Sequence, residues 1–224
     1  MILPIPLNHS TLTLDSKPQK SSLTNASYVQ HGDHVYEINT GSEGEYEVRT
    51  DILYPAILQM EAMLSHHNKV YQIRLESHSE QYGSDNKAFT QMLRALKKWL
   101  ISKGHKRVAY LWVREKEKAK GYHYHAVLWL DGNKIQNPWA VQQRWEELHD
   151  KRGHSHPWRV DPPIPMIHRA KPETQSEAVY IFSYLAKQRS KGYGDIGTRD
   201  FSTSELKRKT ETQEVGNDFT KKIA

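Results

Sequence analysis

Residues 121–132 read GYHYHAVLWLDG. Tyr122 to Leu130 is rich in aromatic and β-favouring residues and closes on Asp131-Gly132, which predicts a strand ended by a turn. Upstream, Arg107 to Glu115, containing VAYLWV, predicts another strand, and the charged stretch Lys116 to Gly121 makes the two a hairpin. Ahead of the hairpin, Asp85 is placed to cap a helix over Asn86 to Lys103. Its apolar stripe is Phe89, Met92, Leu93, Leu96 and Leu100, and Gly104 ends it. Farther upstream, KVYQIRLES (69–77) alternates polar and apolar residues in the manner of a half-buried strand. Beyond the hairpin, Ile135 to Leu148 predicts a helix carrying Trp139, Val141, Trp145 and Leu148. A Pro-containing loop follows, with a strand around Trp158 to Val160 and a helix from Thr174 to Arg189. The order β–α–β–β–α–β–α predicts an antiparallel sheet with helices on one face, a ferredoxin-like α+β layout.

The flanks read differently. Residues 1–30 are rich in Ser, Thr, Pro and Asn and predict a poorly ordered arm. Residues 31–68 form an extension with a short strand at Val35 to Ile38, an acidic turn-rich stretch at Gly41 to Glu47, and a helix within 51–66. Pro55 places that helix's start near itself. The main domain spans residues 69–205, and 206–224 is a basic tail.

Over 224 residues there are 32 Lys+Arg and 26 Asp+Glu, a net charge of +6. Residues 1–68 hold 3 basic and 8 acidic residues (−5), and residues 69–224 hold 29 and 18 (+11). Basicity therefore belongs to the body of the chain and suggests a polyanionic partner. The chain has no Cys. Disulfides, thiolate zinc sites, iron–sulfur clusters and cysteine nucleophiles are excluded. No apolar run is long enough for a membrane span, and the first residues lack a basic leader pattern, so a cytoplasmic protein is expected. No G-x-x-x-x-G-K-[ST] occurs, which excludes a helicase motor of P-loop type.

His123 and His125 are two apart on the predicted strand, so both imidazoles face one side, roughly 7 Å apart along the chain. Such a pair can converge on one divalent metal. The hairpin puts Glu115 opposite them as the third ligand, with Glu117 the second choice. Two His and a carboxylate with open positions suit Mg²⁺ or Mn²⁺. His154-Ser155-His156 repeats the spacing but falls in a loop before Pro157 and reads as loop polarity.

In TQSEAVYIFSYLAKQRSKG (174–192), Thr174 and Glu177 have capping-box spacing. On a helical wheel Tyr180, Tyr184 and Lys187 lie within about 60° of one another, opposite Ala178, Phe182, Leu185 and Ala186. A phenol is a weak nucleophile at neutral pH, and a nearby cation makes it a better one. Two tyrosines packing their rings on a sheet would give the same pattern.

Taken together, KVYQIRLES, YLWVRE, GYHYHAVLWLDG, SYLAK and TRDFSTS resemble the HUH endonuclease superfamily, in its replication-initiator branch. Within it they are most similar to the filamentous-phage (inovirus) gene-two-type initiators, which include the YagK/YfjJ C-terminal domain family. The resemblance covers roughly residues 50–205. It implies His123, His125 and Glu115 as metal ligands, Tyr184 as principal nucleophile, Tyr180 as second nucleophile, and Lys187 as their assistant. It implies rolling-circle initiation: site-specific nicking of single-stranded or locally melted origin DNA through a 5′-phosphotyrosine, with a host helicase and polymerase as partners in a bacterial cytoplasm. A basic groove with aromatic stacking partners should hold the strand. Its candidates are Arg74, Arg114, Arg159, Arg169, Arg189, Lys191 and Arg199, with Trp112, Trp129 and Trp158. A non-catalytic DNA-binding prophage regulator on the same scaffold, or a plasmid relaxase or transposase of the same superfamily, are the alternatives.

Overall fold

The computed structural model describes residues 10–16, 22–78, 85–117, 121–135, 138–151, 166–189, 191 and 198–210. In chain order the strands are β1 (Thr11–Thr13), β2 (Leu23–Thr24), β3 (Tyr28–His31), β4 (His34–Glu37) and β5 (Val48–Arg49). Helix α1 (Thr50–His66) leads into β6 (Lys69–His78), α2 (Lys87–Ser102), β7 (Val108–Glu117) and β8 (Gly121–Asp131). Then come α3 (Trp139–Asp150), β9 (Met166–His168), α4 (Pro172–Ser183), a 3₁₀ turn (Tyr184–Ala186) and β10 (Phe201–Thr203).

The central sheet runs β10-β7-β8-β6-β9, with every neighbouring pair antiparallel. The unit β6-α2-β7-β8-α3-β9 thus places its first strand beside its third and fourth, the split-βαβ order of a ferredoxin-like fold. The α+β layout expected from the sequence is the one found. Asp85 stands one residue before the N-cap, Asn86, and its Oδ1 accepts the Lys87 N–H of the first turn of α2 at 3.0 Å. Gly104 follows α2 with φ +91°, a conformation that favours glycine.

Helices cover both faces of the sheet, not one. Ile73, Leu75, Trp112, Tyr124, Ala126, Leu128 and Leu130 pack with α2 and α3. The alternate residues Val70, Ala109, Leu111, Val113, Val127 and Trp129 pack with α1 and α4. The second layer arises because α1, which precedes the main domain, returns over the sheet, and α4 joins it. Trp129 Nε1 donates to Gln72 Oε1 at 2.7 Å, and Gln72 Nε2 donates to the Ala178 carbonyl at 3.3 Å, which fixes α4 over the middle strands. Among the described residues no helix is long and apolar enough to cross a membrane.

Several local readings change. Residues 10–16 and 22–30, grouped by composition with a poorly ordered arm, carry β1, β2 and β3. Helix α1 begins at Thr50, so Pro55 lies inside it. The start is fixed by Ser22, whose carbonyl accepts both the N–H and the Oγ1–H of Thr50. Pro172 opens α4 two residues before Thr174. Thr174 Oγ1 instead accepts the His168 N–H and donates to the Lys171 carbonyl, so no capping box forms. Helix α4 stops at Ser183 instead of reaching Arg189 because the N-terminal strands take its backbone partners. Lys187 is extended and bridges to Val48, and Gln188 donates to the Glu47 carbonyl at 2.9 Å. The strand paired to the outer side of β6 is β9. The one expected at Trp158 to Val160 lies outside the described residues, as do Arg159 and the His154-Ser155-His156 loop.

Candidate metal centre and tyrosine site

Sheet register builds the site. Glu115 on β7 pairs with His123 on β8, which pairs with His78 on β6. The next row on the same face is Val113, His125 and Glu76. Residues two apart on a strand share a face. The polar residues Arg74, Glu76, His78, Glu115, His123 and His125 therefore all stand on the α1/α4 side.

Glu115 Oε2 lies 3.6 Å from Nε2 of both His123 and His125. One ligand atom from each of the three falls within 4.8 Å of the others, so the group could hold a metal ion. Two imidazole nitrogens and one carboxylate oxygen suit a divalent cation that keeps positions open for substrate. The surrounding charges keep the carboxylate ready. Burial would raise Glu115, but His123, His125 and the Lys191 ammonium outweigh it and hold its carboxyl well below the usual range. Lys191 is 2% exposed, and its Nζ donates to Glu115 Oε1 at 2.6 Å. It is thus the buried partner of Glu115. Burial lowers the Lys191 pKa despite that attraction.

Glu76 is a residue the sequence reading passed over. Its Oε1 accepts from Arg74 Nη2 at 2.7 Å and lies 3.3 Å from His125 Nδ1. Its Oε2 is 3.6 Å from His78 Nε2. Burial opposes ionisation of Glu76, but His125, His78 and Arg74 together hold it well below the normal carboxylate range. Burial also opposes the charge on His125, yet Glu115 and Glu76 raise its pKa above the usual value. A carboxylate on one ring nitrogen aims the other at the metal position. The available signal was parity: Gln72, Arg74, Glu76 and His78 are a polar file on a central strand.

Tyr184 is 46% exposed, at the first residue of the 3₁₀ turn. Arg74 Cζ lies 5.9 Å from its ring centre and Lys187 Nζ 3.8 Å. The other side of the Lys187 ammonium faces the Tyr46 ring at 3.5 Å. Burial, with Lys191 and Arg189 nearby, lowers the Lys187 pKa against the pull of Glu45 and Glu115. Tyr180 is 39% exposed and, among the described residues, makes no such contact with Arg74 or Lys187.

The basic and aromatic candidates scatter. Arg74 joins the site. Arg114 is 3% exposed on the α2/α3 side, 3.7 Å over the Tyr122 ring. Arg169 donates its backbone N–H to Asn68 at the far end of β6, about 26 Å from Glu76 by strand rise. Arg189 and Arg199 are exposed. Trp112 and Trp129 are core residues on opposite faces, and Trp158 lies outside the described residues.

An antiparallel ferredoxin-like sheet with a Glu-His-His group on one face, and an exposed tyrosine near Arg74 of that face, defines an α+β domain of the Rep type. Residues 75–189, just over half of the chain, match the family of replication-associated proteins of the ORF2 and gene-two-protein type, and the chain belongs to it. The likeness to inovirus gene-two-type initiators is thereby borne out. No curated protein and no solved structure matches the chain. The matched span runs from within β6 to just past the 3₁₀ turn, so Tyr46, Arg49, Arg74, Lys191 and Asp200 fall outside it.

Proposed function

We propose that the chain starts rolling-circle DNA replication by nicking and rejoining one strand through a tyrosyl phosphodiester. The observation that carries this reading is the position of Tyr184. Its exposed ring is bracketed by Arg74 and Lys187, and Arg74 is tied through Glu76 to His125 of the metal-competent group.

Glu115, His123 and His125 would hold a divalent cation, Mg²⁺ or Mn²⁺, which when bound supplies Lewis-acid polarisation of a phosphoryl oxygen. The remaining work falls to this chain's residues. Tyr184 Oη releases its proton to solvent water and forms the new P–O bond, and the 3′-oxygen of the preceding nucleotide departs with the bonding electrons and takes up a proton from water. The 5′ end stays on Tyr184 as a phosphotyrosine, and the free 3′-OH is a primer for a host polymerase behind a host helicase. Attack of a 3′-OH on the phosphotyrosine reverses the bookkeeping and reseals the strand. Arg74 and Lys187 offset the negative charge that gathers on the phenol oxygen and the phosphate. Tyr180, one helical turn before Tyr184, would serve as nucleophile for the second transfer.

The test is incubation of the chain with single-stranded origin DNA and Mn²⁺, followed by a denaturing gel. A slow-migrating protein–DNA band that disappears without metal is expected. Binding with no adduct and no cut strand would instead favour a non-catalytic DNA-binding regulator.

A further inference from the structure

Around the Glu115–His123–His125 group, on the α1/α4 side of the sheet, the cations Arg74, Lys191, Arg49 and Lys187 are committed. Arg74 pairs with Glu76 and Lys191 with Glu115. Arg49 pairs with Asp51 at 2.7 Å and with Asp200. Lys187 is held between two rings. Helix α2, on the opposite side, is the contrast. Its sixteen residues, KAFTQMLRALKKWLIS, contain Lys87, Arg94, Lys97 and Lys98 and no acidic residue. All four side chains are exposed, and the helix buries only Phe89, Met92, Leu93, Leu96 and Leu100. Lys87 is paired with Asp85 at 3.0 Å. Among the described residues Arg94, Lys97 and Lys98 make no ion pair.

Taking ~100° per residue, Lys87, Arg94 and Lys98 fall within about 40° of one line, and Lys97 borders it. The row is about 16 Å long by helical rise. Lys103 and Lys106, both exposed, prolong it beyond the helix. The helix dipole does not account for it, since the last turn holds no basic residue. The neighbouring helix α3 carries Glu146, Glu147 and Asp150, with Arg144 already bound to Glu147 at 2.7 Å. A flat anionic surface would press on both helices and meet α3's acids. A rod of phosphates laid along α2 alone avoids them.

We propose that the outer face of α2 docks the sugar–phosphate backbone of duplex DNA, on the side of the sheet opposite Tyr184. On α2 itself Trp99 is half-buried with Lys103 over its ring, and the exposed ring of this side, Trp139, stands at the start of α3 outside the cation row, whereas the Tyr184 side has two exposed tyrosines. Stacking rings mark single-strand sites, and bare rows of cations mark backbone contacts that carry no sequence preference. The two sides would then divide the substrate, with the duplex arm on α2 and the melted strand at Tyr184. The proposal extends the DNA-acting reading above but does not depend on the tyrosine chemistry.

The experiment is fluorescence anisotropy of the full chain with a labelled 20-base-pair duplex lacking the origin sequence, titrated with salt, for the wild type and an R94E/K97E/K98E variant. The substituted side chains are exposed and Glu is as good a helix former as Lys, so a wild-type thermal midpoint is expected. The variant should lose at least tenfold in duplex affinity near 0.1 M salt. Its log–log salt slope should be shallower by about 2–3 units, the signature of three lost phosphate contacts. A short single strand containing the nick site should lose far less. An unchanged duplex affinity and slope would overturn the proposal. Equal losses on duplex and single strand, or tighter binding to vesicles of anionic lipid than to duplex, would overturn the assignment to duplex. A wild type that binds duplex in this way but forms no adduct would contradict the nicking reading and leave this one standing.

Discussion

The two faces of the central sheet are made by alternate residues of the same strands, yet they obey different rules near the start of β8. On the α2/α3 side Leu75, Trp112, Tyr124 and Ala126 are apolar or aromatic, with Phe89 stacked on Tyr124 at 4.2 Å, and the two polar residues of those rows, Arg114 and Ser77, are buried against the Tyr122 ring and His149. On the α1/α4 side the same rows hold Arg74, Glu76, Glu115, His123 and His125, mostly buried and paired with one another. Charges taken from water cost several kcal/mol each unless partnered, and a set of apolar side chains would stabilise this fold at least as well. One face accounts for the packing of the domain, and the other holds costly charge that the proposed reaction would use. Away from the site the α1/α4 face carries Val127 and Trp129, with the neutral Gln72 hydrogen-bonded to Trp129 and Ala178, so the charged set is confined to one end of the sheet.

Substitutions can separate the two roles. The largest effect belongs to Y184F, which should abolish covalent attachment to origin DNA while leaving DNA binding and thermal stability near wild type. Next, H125A or E115A should lower nicking by at least about 100-fold, since the metal's Lewis acidity is worth several kcal/mol. Direct Mn²⁺ binding, measured by electron paramagnetic resonance, should be lost with it. On the other face, L96A or L128A should cost about 2–5 kcal/mol in denaturant unfolding. Nicking per folded molecule should be nearly unchanged, because these side chains belong to the core cluster on the α2/α3 side. If L128A instead removed nicking without loss of stability, the division between the faces would fail. A smaller change is expected for E76Q. Removing the carboxylate behind His125 should weaken Mn²⁺ binding by roughly tenfold with little loss of fold.

The smallest expected effect is on pH dependence without metal. His125 is raised above its usual 6.5. Its contribution to stability is therefore complete below about pH 6.5 and lost as pH rises through the folded value. Glu115 and Glu76 are depressed from 4.5, so their contribution is present above about pH 4.5 and lost as pH falls. Metal-free protein should be most stable between these limits, and H125Q should flatten the alkaline decline. Metal affinity should run the other way and rise with pH, because imidazole must be neutral to ligate.

Much of this was legible in local pattern. Alternation identified β6, runs of aromatic and β-favouring residues identified β7 and β8, and an amphipathic stripe between Asp85 and Gly104 identified α2. The hairpin alone placed Glu115 opposite the His pair, and the register has it there. The obscure parts depend on contacts distant in sequence. Strands β1, β2, β5, β9 and β10 are two or three residues long and carry no periodicity of their own. The end of α4 is set by Glu47 and Val48, some 140 positions upstream. Lys191 looked like one surface cation among many, and only the tertiary fold buries it against Glu115. Tyr46 lies in a stretch that composition marks as a turn, and nothing local announces that its ring will meet Lys187.

The central claim is that Tyr184 is the group that becomes joined to DNA, and proteolysis of the purified adduct with mass spectrometry tests it most directly. A peptide containing residues 180–187 with a nucleotide on Tyr184, absent from Y184F, is the predicted result. A nucleotide on a residue remote from the Glu115–His123–His125 face, or undiminished adduct from Y184F, would contradict the account.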